Sequence, residues 1–345
     1  MVRAVDLFCG AGGLSKGLET AGIEVTLGID LDPACEYPYQ VNNTSEFLLA
    51  DVGEVPAATV RKNLGRDDYT LLAGCAPCQP FSRYSQGRKR YGSDKWKLLN
   101  RFASFVEIIQ PTLVTMENVA SLRNQYIFKK YLRNLKENNY HVSFQIVDCR
   151  QYGIPQTRKR LVLLASRLGD ISLVKPTHPG EDKWRTVRDT IADLTPLKAG
   201  EVSDRDPLHR CSTLSDVNLR RMKASRRGGT WRDWPKALRV NCHGKATGEN
   251  YVSVYGRMEW DAPSPTITTQ CYGFGNGRFG HPKQNRAISM REAALLQSFP
   301  QGYRFLENEA EFIMRDIGRL IGNAVPPRLG EIIGRSILRH IKGVA

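Results

Sequence analysis

The sequence contains no apolar run approaching the roughly 18 residues that a membrane-spanning helix needs, so no segment is expected to cross a bilayer. It has no internal repeat and no low-complexity tract, which leaves ordinary folded domains. No leader pattern stands at the front. MVRAVDLFCG enters an apolar strand pattern almost at once, and the chain is expected to stay in the cytoplasm where it is made. Acidic residues are scarce beside basic ones, 35 against 50, giving a formal charge of +15 and a pI of about 9.5. Such an excess costs self-repulsion unless phosphates neutralise it, so a nucleic-acid partner is expected ahead of a merely solvated basic surface.

Paired cysteine motifs are nearly absent. The eight cysteines are Cys9, Cys35, Cys75, Cys78, Cys149, Cys211, Cys242 and Cys271, and only Cys75 and Cys78 form a C-x-x-C. A four-ligand zinc site lacks its second pair, and a disulfide framework lacks a secretory context. Most of the cysteines read as small buried apolar residues.

What is present organises the chain of 345 residues into about two domains. In the first half RAVDLF (3–8), EVTLGID (24–30), FLLADV (47–52), YTLLAG (69–74), TLVTMEN (112–118), VSFQIVD (142–148) and RLVLLAS (160–166) read as strands. Helical patterns lie between them at 14–21, from about 33, and at 98–109. Alternating strands and helices predict an α/β fold with a doubly wound, mostly parallel sheet. The pattern breaks near VKPTHPGEDKW (174–184), and from there to about Arg286 glycines, polar residues and aromatics predict a second, smaller, mixed or β-rich domain. A helix is expected over SMREAALLQSFP (289–300), where Ser289 and Glu292 fit a capping box, and a last one over 327–341. The expected division is 1–175 plus 318–345 for one domain and 176–317 for the other.

DLFCGAGGLS (6–15) is a strand, then Gly10, Gly12 and Gly13, then a helix. Glycines let a backbone approach a ligand, and a helix N-terminus adds favourable polarity. The position three after Gly12 is Ser15, so this is not the G-x-G-x-x-G dinucleotide fingerprint, and a tight turn without a ligand is the alternative. Asp30 and Asp32 end the second strand and Asp51 the third, at the edge where doubly wound folds bind ligands. Together they describe an adenosine pocket, with one acid on ribose hydroxyls and one on an adenine amino group. Singly, each serves equally well as a helix cap or turn residue.

In GCAPCQPFS (74–82) the prolines Pro77 and Pro80 favour a loop, whereas a redox C-x-x-C usually opens a helix. One nucleophilic cysteine is the better reading. With DLFCGAGG (6–13), GCAPCQPFS, MENV (116–119), QTRKR (156–160), REAALLQSFP (291–300) and GNAVPP (322–327) in this order across nearly the whole chain, the sequence resembles the DNA (cytosine-5)-methyltransferases of prokaryotic restriction–modification type.

The resemblance implies a class I methyltransferase fold with a target-recognition domain. It implies methyl transfer from S-adenosylmethionine to C5 of a cytosine flipped out of a specific duplex DNA sequence. Cys78 would attack C6, leaving Cys75 as a packing residue. Glu117 would donate to N3, for which it must carry or share a proton. Arg160 would hold O2, and Arg158 would steady the loop or Glu117. Phe8 would lie against the adenine, Asp30 on the ribose, Asp51 near the adenine N6, and Gly10, Gly12 and Gly13 beside the methionine part. Leu14, Leu31, Val52 and Pro77 would line the same pocket, and Asn323 and Val325 would close it.

SRYSQGRKRYGSDKWK (82–97) is expected to be a lid that closes on DNA phosphates rather than a plain solvated loop. Ser82, Ser85, Gln86 and Arg88 are its expected DNA contacts, Ser85 and Gln86 filling the space of the flipped base. Trp96 stands where the family often has arginine. RRMKASRRGG (220–229) suits phosphates, and GRMEWDAPSPTITTQCYGFGNGRFGH (256–281) suits a groove, with Arg257 and Arg278 as candidate base readers. The expected partners are duplex DNA in the nucleoid and a restriction endonuclease that shares the site without binding; a monomer suffices. An RNA methyltransferase, a non-catalytic DNA-binding protein and a redox protein are the rival readings.

Overall fold

The structure, a computed structural model, describes residues 1–65, 69–77, 97–245, 248–308 and 311–344. The chain divides into two compact units. The first comprises Met1–Tyr152, Lys159–Thr177 and Ala324–Ala345; the second comprises Gly153–Arg158 and His178–Asn323. Among the described residues no helix is long and apolar enough to cross a membrane.

The first unit is built on a seven-stranded sheet of β1 (Val2–Leu7), β2 (Glu24–Asp30), β3 (Glu46–Leu49), β4 (Tyr69–Gly74), β5 (Leu113–Val119), β6 (His141–Asp148) and β7 (Lys159–Ser166). Their order is β3-β2-β1-β4-β5-β7-β6. The first five pair in parallel, and β7 runs antiparallel to both β5 and β6. The expected mostly parallel sheet is thus present, with one reversed strand. Central strands are apolar along their length because helices cover both faces. In β5 every residue from Leu113 to Asn118 is buried.

The helices of this unit are α1 (Gly13–Ala21), α2 (Glu36–Asn42), α3 (Ala57–Leu64), α4 (Lys97–Ile109), α5 (Tyr126–Glu137) and α10 (Pro327–Val344). The helical patterns read from the sequence did not include α3 and α5. In α5 the residues Ile127, Phe128, Tyr131 and Leu135 form one buried face within a basic segment. Phe102 and Phe105 of α4 join Phe128 and Tyr131 in the core against β4 and β5. Helices α1 and α10 meet backbone to backbone: a Cβ on Gly17 would stand 2.3 Å from the Pro327 carbonyl oxygen.

The described part of the second unit holds α6 (Arg188–Ile191), α7 (Asp216–Ala224), α8 (Met290–Leu296), α9 (Met314–Asn323) and a two-stranded ribbon of β8 (Val202–Ser203) and β9 (Asp206–Arg210). Of the mixed or β-rich character expected here, the mixed one is found; the remaining β pairing consists of isolated bridges. Met222, Trp231, Trp234, Phe274 and Ala287 form a small core. The Ser289–Glu292 capping box starts α8, which ends at Leu296, a few residues before Pro300, the residue expected to follow its end. Residues 153–158 and 318–323 pack with this unit, whereas the sequence put both in the first. The Thr157 amide donates to the Ser264 carbonyl at 2.8 Å, and a Cβ on Gly322 would meet the Thr269 nitrogen at 2.3 Å.

Candidate active site

Sheet register assembles the site. Leu7 pairs with Ile29 on one side and Gly74 on the other, and Gly74 pairs with Met116. The next residue on each strand is Phe8, Asp30, Cys75 and Glu117, so these four stand in one row at the carboxyl edge. Asp51 follows β3 two residues beyond Leu49, the partner of Asp30.

The loop after β1 is held in a conformation that side chains avoid. Phe8, Gly10 and Gly12 have φ of 61°, 54° and 85°. For Phe8 this is a strained backbone, the kind of outlier that clusters at ligand sites. The Cys9 amide donates to the Ile29 carbonyl at 3.1 Å, and the Gly10 amide to Asp30 Oδ2 at 2.8 Å. Asp30 Oδ1 accepts the Asp32 amide at 3.0 Å. Gly10 and Gly13 serve different ends. Among the described residues a Cβ on Gly10 would meet nothing within 4 Å, whereas one on Gly13 would lie 2.2 Å from the Val325 carbonyl oxygen. Asp51 is exposed and accepts the Gly53 amide at 2.8 Å. Leu31 is an exposed apolar side chain and Pro77 is exposed, while Leu14 and Val52 are buried.

Beneath the loop lies a polar chain that the sequence reading missed. Ser15 Oγ donates to Asp6 Oδ2 at 2.7 Å, lies 2.9 Å from the Tyr39 hydroxyl, and that hydroxyl is 2.7 Å from Ser45 Oγ. All four residues are buried. Burial pushes the Asp6 carboxyl up to about 7, aided by the charge of Asp30 and opposed by the Ser15 hydrogen bond. The only sequence signal was an aspartate inside an apolar strand.

Glu117 is 2% exposed. Its Oε2 accepts the Cys75 thiol at 3.0 Å. Its Oε1 stands 3.0 Å from Arg160 Nε, within ion-pair reach, yet has no aligned hydrogen-bond donor among the described residues. The neighbouring Asn118, also missed from sequence, donates from Nδ2 to the Ala76 carbonyl at 3.0 Å and ties the loop after β4 to β5. Its signal was a second polar residue beside Glu117 at the end of an apolar strand. Cys78, Ser82, Ser85, Gln86, Arg88 and Trp96 lie outside the described residues.

The second unit holds Arg158 and Asn323. Arg158 is buried and donates to the Ile267 carbonyl at 3.2 Å and, at the limit of 3.5 Å, to that of Gly322. Asn323 is exposed at the end of α9. Arg257, expected to read bases, is instead a buried clamp. Its guanidinium donates to the carbonyls of Met222, Ser225, His281 and Gln284 and to Asn285 Oδ1. Five acceptors saturate the fork, so no donors remain for a base edge. Arg278 is likewise turned inward, onto the carbonyls of Gly228 and Gly229. In RRMKASRRGG, Arg220, Lys223, Arg226 and Arg227 are exposed, while Arg221 is half-buried near the rings of Trp234 and Tyr255. Glu292 is a structural residue: Arg286 binds both its oxygens at 2.7 Å in full burial.

Comparison with known proteins gives one answer. The family model for C-5 cytosine-specific DNA methylase matches residues 2–339. The type II methylase M.HgiDII of Herpetosiphon aurantiacus is 48% identical over 348 residues, covering 100% of this chain and 97% of that protein. DNA (cytosine-5)-methyltransferase 1 of Mus musculus is 28% identical over 97% of this chain, which spans 28% of that longer protein. A crystal structure of a protein described as a DNA modification methyltransferase, encoded within an E. coli prophage, matches with a TM-score of 0.74 and 21% identity over 99% of this chain and 100% of that one.

Proposed function

The chain belongs to the C-5 cytosine-specific DNA methylase family, and on that premise we propose that it moves a methyl group from S-adenosylmethionine to C5 of a cytosine flipped out of duplex DNA, through a covalent bond between Cys78 Sγ and C6. The observation that carries this reading is the row formed by Phe8, Asp30, Cys75 and Glu117, with Cys78 three residues beyond Cys75.

The residues present fit the cofactor. Among the described residues nothing fills the space at Gly10, Leu31 offers an exposed apolar surface, and Asp51 offers an exposed carboxylate. Bound there, S-adenosylmethionine supplies an electrophilic methyl group on its sulfonium. Asp30 holds the glycine loop through the Gly10 amide and accepts from the ribose hydroxyls. Asp51 accepts from the adenine amino group, and Phe8 packs on the ring.

C5 of cytosine is a poor nucleophile. When the Cys78 thiolate bonds to C6, the C5–C6 double bond opens and charge moves toward N3 and O2. Glu117 gives N3 a proton, and Arg160 holds O2. C5 is then electron-rich enough to take the methyl group. Loss of the C5 proton to a base, return of the N3 proton to Glu117 and cleavage of the S–C6 bond restore the ring and free Cys78 as its thiolate. A base inside a stacked helix is out of reach, so the target is flipped out at a cost of a few kcal/mol. The second unit binds the duplex through its exposed basic residues, and the methylation protects a sequence shared with a restriction endonuclease.

The test is transfer of labelled methyl from S-adenosylmethionine to unmethylated duplex DNA of mixed sequence, with transfer RNA in parallel and the product base identified after digestion. Label in DNA as 5-methylcytosine is expected. Label confined to RNA, or on another base, would overturn the reading.

A further inference from the structure

Cys75 fills neither role its motif offers. It is not the nucleophile of Pro-Cys-Gln, and its thiol is directed at a carboxylate rather than at an apolar wall. The Gly74–Met116 register brings β4 and β5 side by side, and one residue further on Cys75 Sγ donates to Glu117 Oε2 at 3.0 Å. The other oxygen, Oε1, faces Arg160 Nε at 3.0 Å without an aligned donor among the described residues. From this geometry we infer that Cys75 is a positioning residue for Glu117, fixing the carboxyl rotamer and reserving Oε1 as the oxygen that carries the proton to N3.

A carboxylic acid bears its proton on one oxygen and accepts on the other. A thiol donating to Oε2 makes a proton there unfavourable, because two hydrogens would compete for one oxygen. Once Arg160 turns from Oε1 to O2 of the bound base, the proton is placed on Oε1. Oε2 keeps a second lone pair, which suits the 4-amino group of the same cytosine. One carboxyl can thereby face the base as donor at N3 and acceptor at N4. Cys75 keeps its own proton on sulfur throughout, so the step at N3 stays balanced between Glu117 and the ring. Asn118, bonded to the Ala76 carbonyl, holds the two strand ends together and keeps the thiol in register. Without the thiol, Glu117 samples other rotamers and the wrong tautomer, and the productive fraction falls.

The inference builds on the reading of Glu117 as the donor at N3, so the experiment separates the two. Single-turnover methyl transfer to duplex DNA is measured for the native protein, Cys75→Ala, Cys75→Ser, Glu117→Gln and the double variant Cys75→Ala/Glu117→Gln. Binding of S-adenosylmethionine and DNA is measured for each. Cys75→Ala is expected to slow transfer about tenfold, in line with loss of one hydrogen bond, with both affinities unchanged. Cys75→Ser, which restores an O–H donor, is expected to recover most of the rate. In the Glu117→Gln background Cys75→Ala is expected to cause no further slowing. Equal slowing in both backgrounds would assign Cys75 a packing role and overturn the inference. So would a Cys75→Ala variant at the native rate, or one that loses cofactor affinity together with Cys75→Ser, while Glu117 keeps its role. A Glu117→Gln variant as fast as the native protein would remove the reading of Glu117 and the inference with it.

Discussion

Asp30 Oδ2 accepts the amide of Gly10 at 2.8 Å, so the acid at the end of β2 shapes the glycine loop at the end of β1. A residue expected from sequence to bind ribose therefore also builds the surface beside it. Removing the carboxylate should cost twice. Asp30→Ala is expected to weaken S-adenosylmethionine binding by about 10- to 100-fold, the loss expected for charge-assisted hydrogen bonds, while DNA affinity is kept. Calorimetric titration checks this; an unchanged cofactor affinity would contradict the placement.

The glycines of the first unit should rank by what surrounds them. Gly17→Ala forces a Cβ to 2.3 Å from the Pro327 carbonyl oxygen, between two helix backbones that have no flexible side chain to yield. It is expected to destabilise by about 3 kcal/mol, at the upper end for overpacking. Gly10→Ala meets only the conformational penalty of its positive φ, about 1 kcal/mol. Denaturant midpoints would show whether the order holds; a Gly10→Ala loss larger than that of Gly17→Ala would reject it.

Much of the fold was legible because its signals are local. Parallel strands buried on both faces give short apolar runs, as in LLAG of β4, and the Ser289–Glu292 capping box marks α8 within the sequence itself. The helix α5 was missed although its buried face has regular spacing, since four basic residues are interleaved with that face. At the site, the motifs single out Glu117 and Asp30 as candidates, and register explains their common row. What remained hidden depends on partners far apart in sequence. Arg257 sits in a loop rich in arginine, aromatics and glycine that reads as a groove binder, but five acceptors 24 to 35 positions away turn it inward. The Cys75 thiol and Glu117 are 42 positions apart, and no pattern in GCAPCQ announces the partner.

Two buried groups should give stability opposite pH dependences. The folded-state Asp6 carboxyl lies at about 7, above the ordinary carboxylate value of roughly 4, so the folded state keeps a proton that the unfolded chain loses. Its stabilising contribution is complete below about 4 and disappears as pH rises to about 7. His281 is held down to about 4, chiefly by burial, with the Glu292 charge raising it and the Arg286, Arg257 and His209 charges lowering it. It disfavours folding as pH falls from about 6.5 to 4, because the unfolded imidazole takes up a proton first. Asp6→Asn is therefore expected to gain stability relative to the native protein between pH 5 and pH 8, by at most about 4 kcal/mol. His281→Gln should gain between pH 6.5 and pH 4.5. Thermal unfolding at each pH decides, and a shift of the same sign in both variants would contradict the assignment.

Arginines in the second unit should separate into two classes. Arg257→Met removes a buried fork and is expected to destabilise that unit by about 3 kcal/mol, as for a broken buried charged network. Arg220→Ala, Lys223→Ala and Arg226→Ala combined should leave stability within about 1 kcal/mol and weaken DNA binding on all sequences. The salt dependence of log Kd should flatten by up to about 0.9 for each phosphate that the variant no longer neutralises. An unchanged salt slope would remove this surface from the interface.

The covalent step is the centre of the proposed mechanism, and it is tested by trapping it. Duplex DNA of mixed sequence is prepared with 5-fluorocytosine in place of cytosine. After methyl transfer its C5 carries fluorine where the proton should leave, so the S–C6 bond cannot be released. Incubation with S-adenosylmethionine, digestion and peptide mass analysis then locate the bonded residue. The expected result is a nucleotide attached to the peptide at Cys78, absent in Cys78→Ser, which should also lose turnover by at least about 10³-fold while still binding cofactor. A nucleotide on Cys75, or methylated base with no adduct on any cysteine, would contradict it.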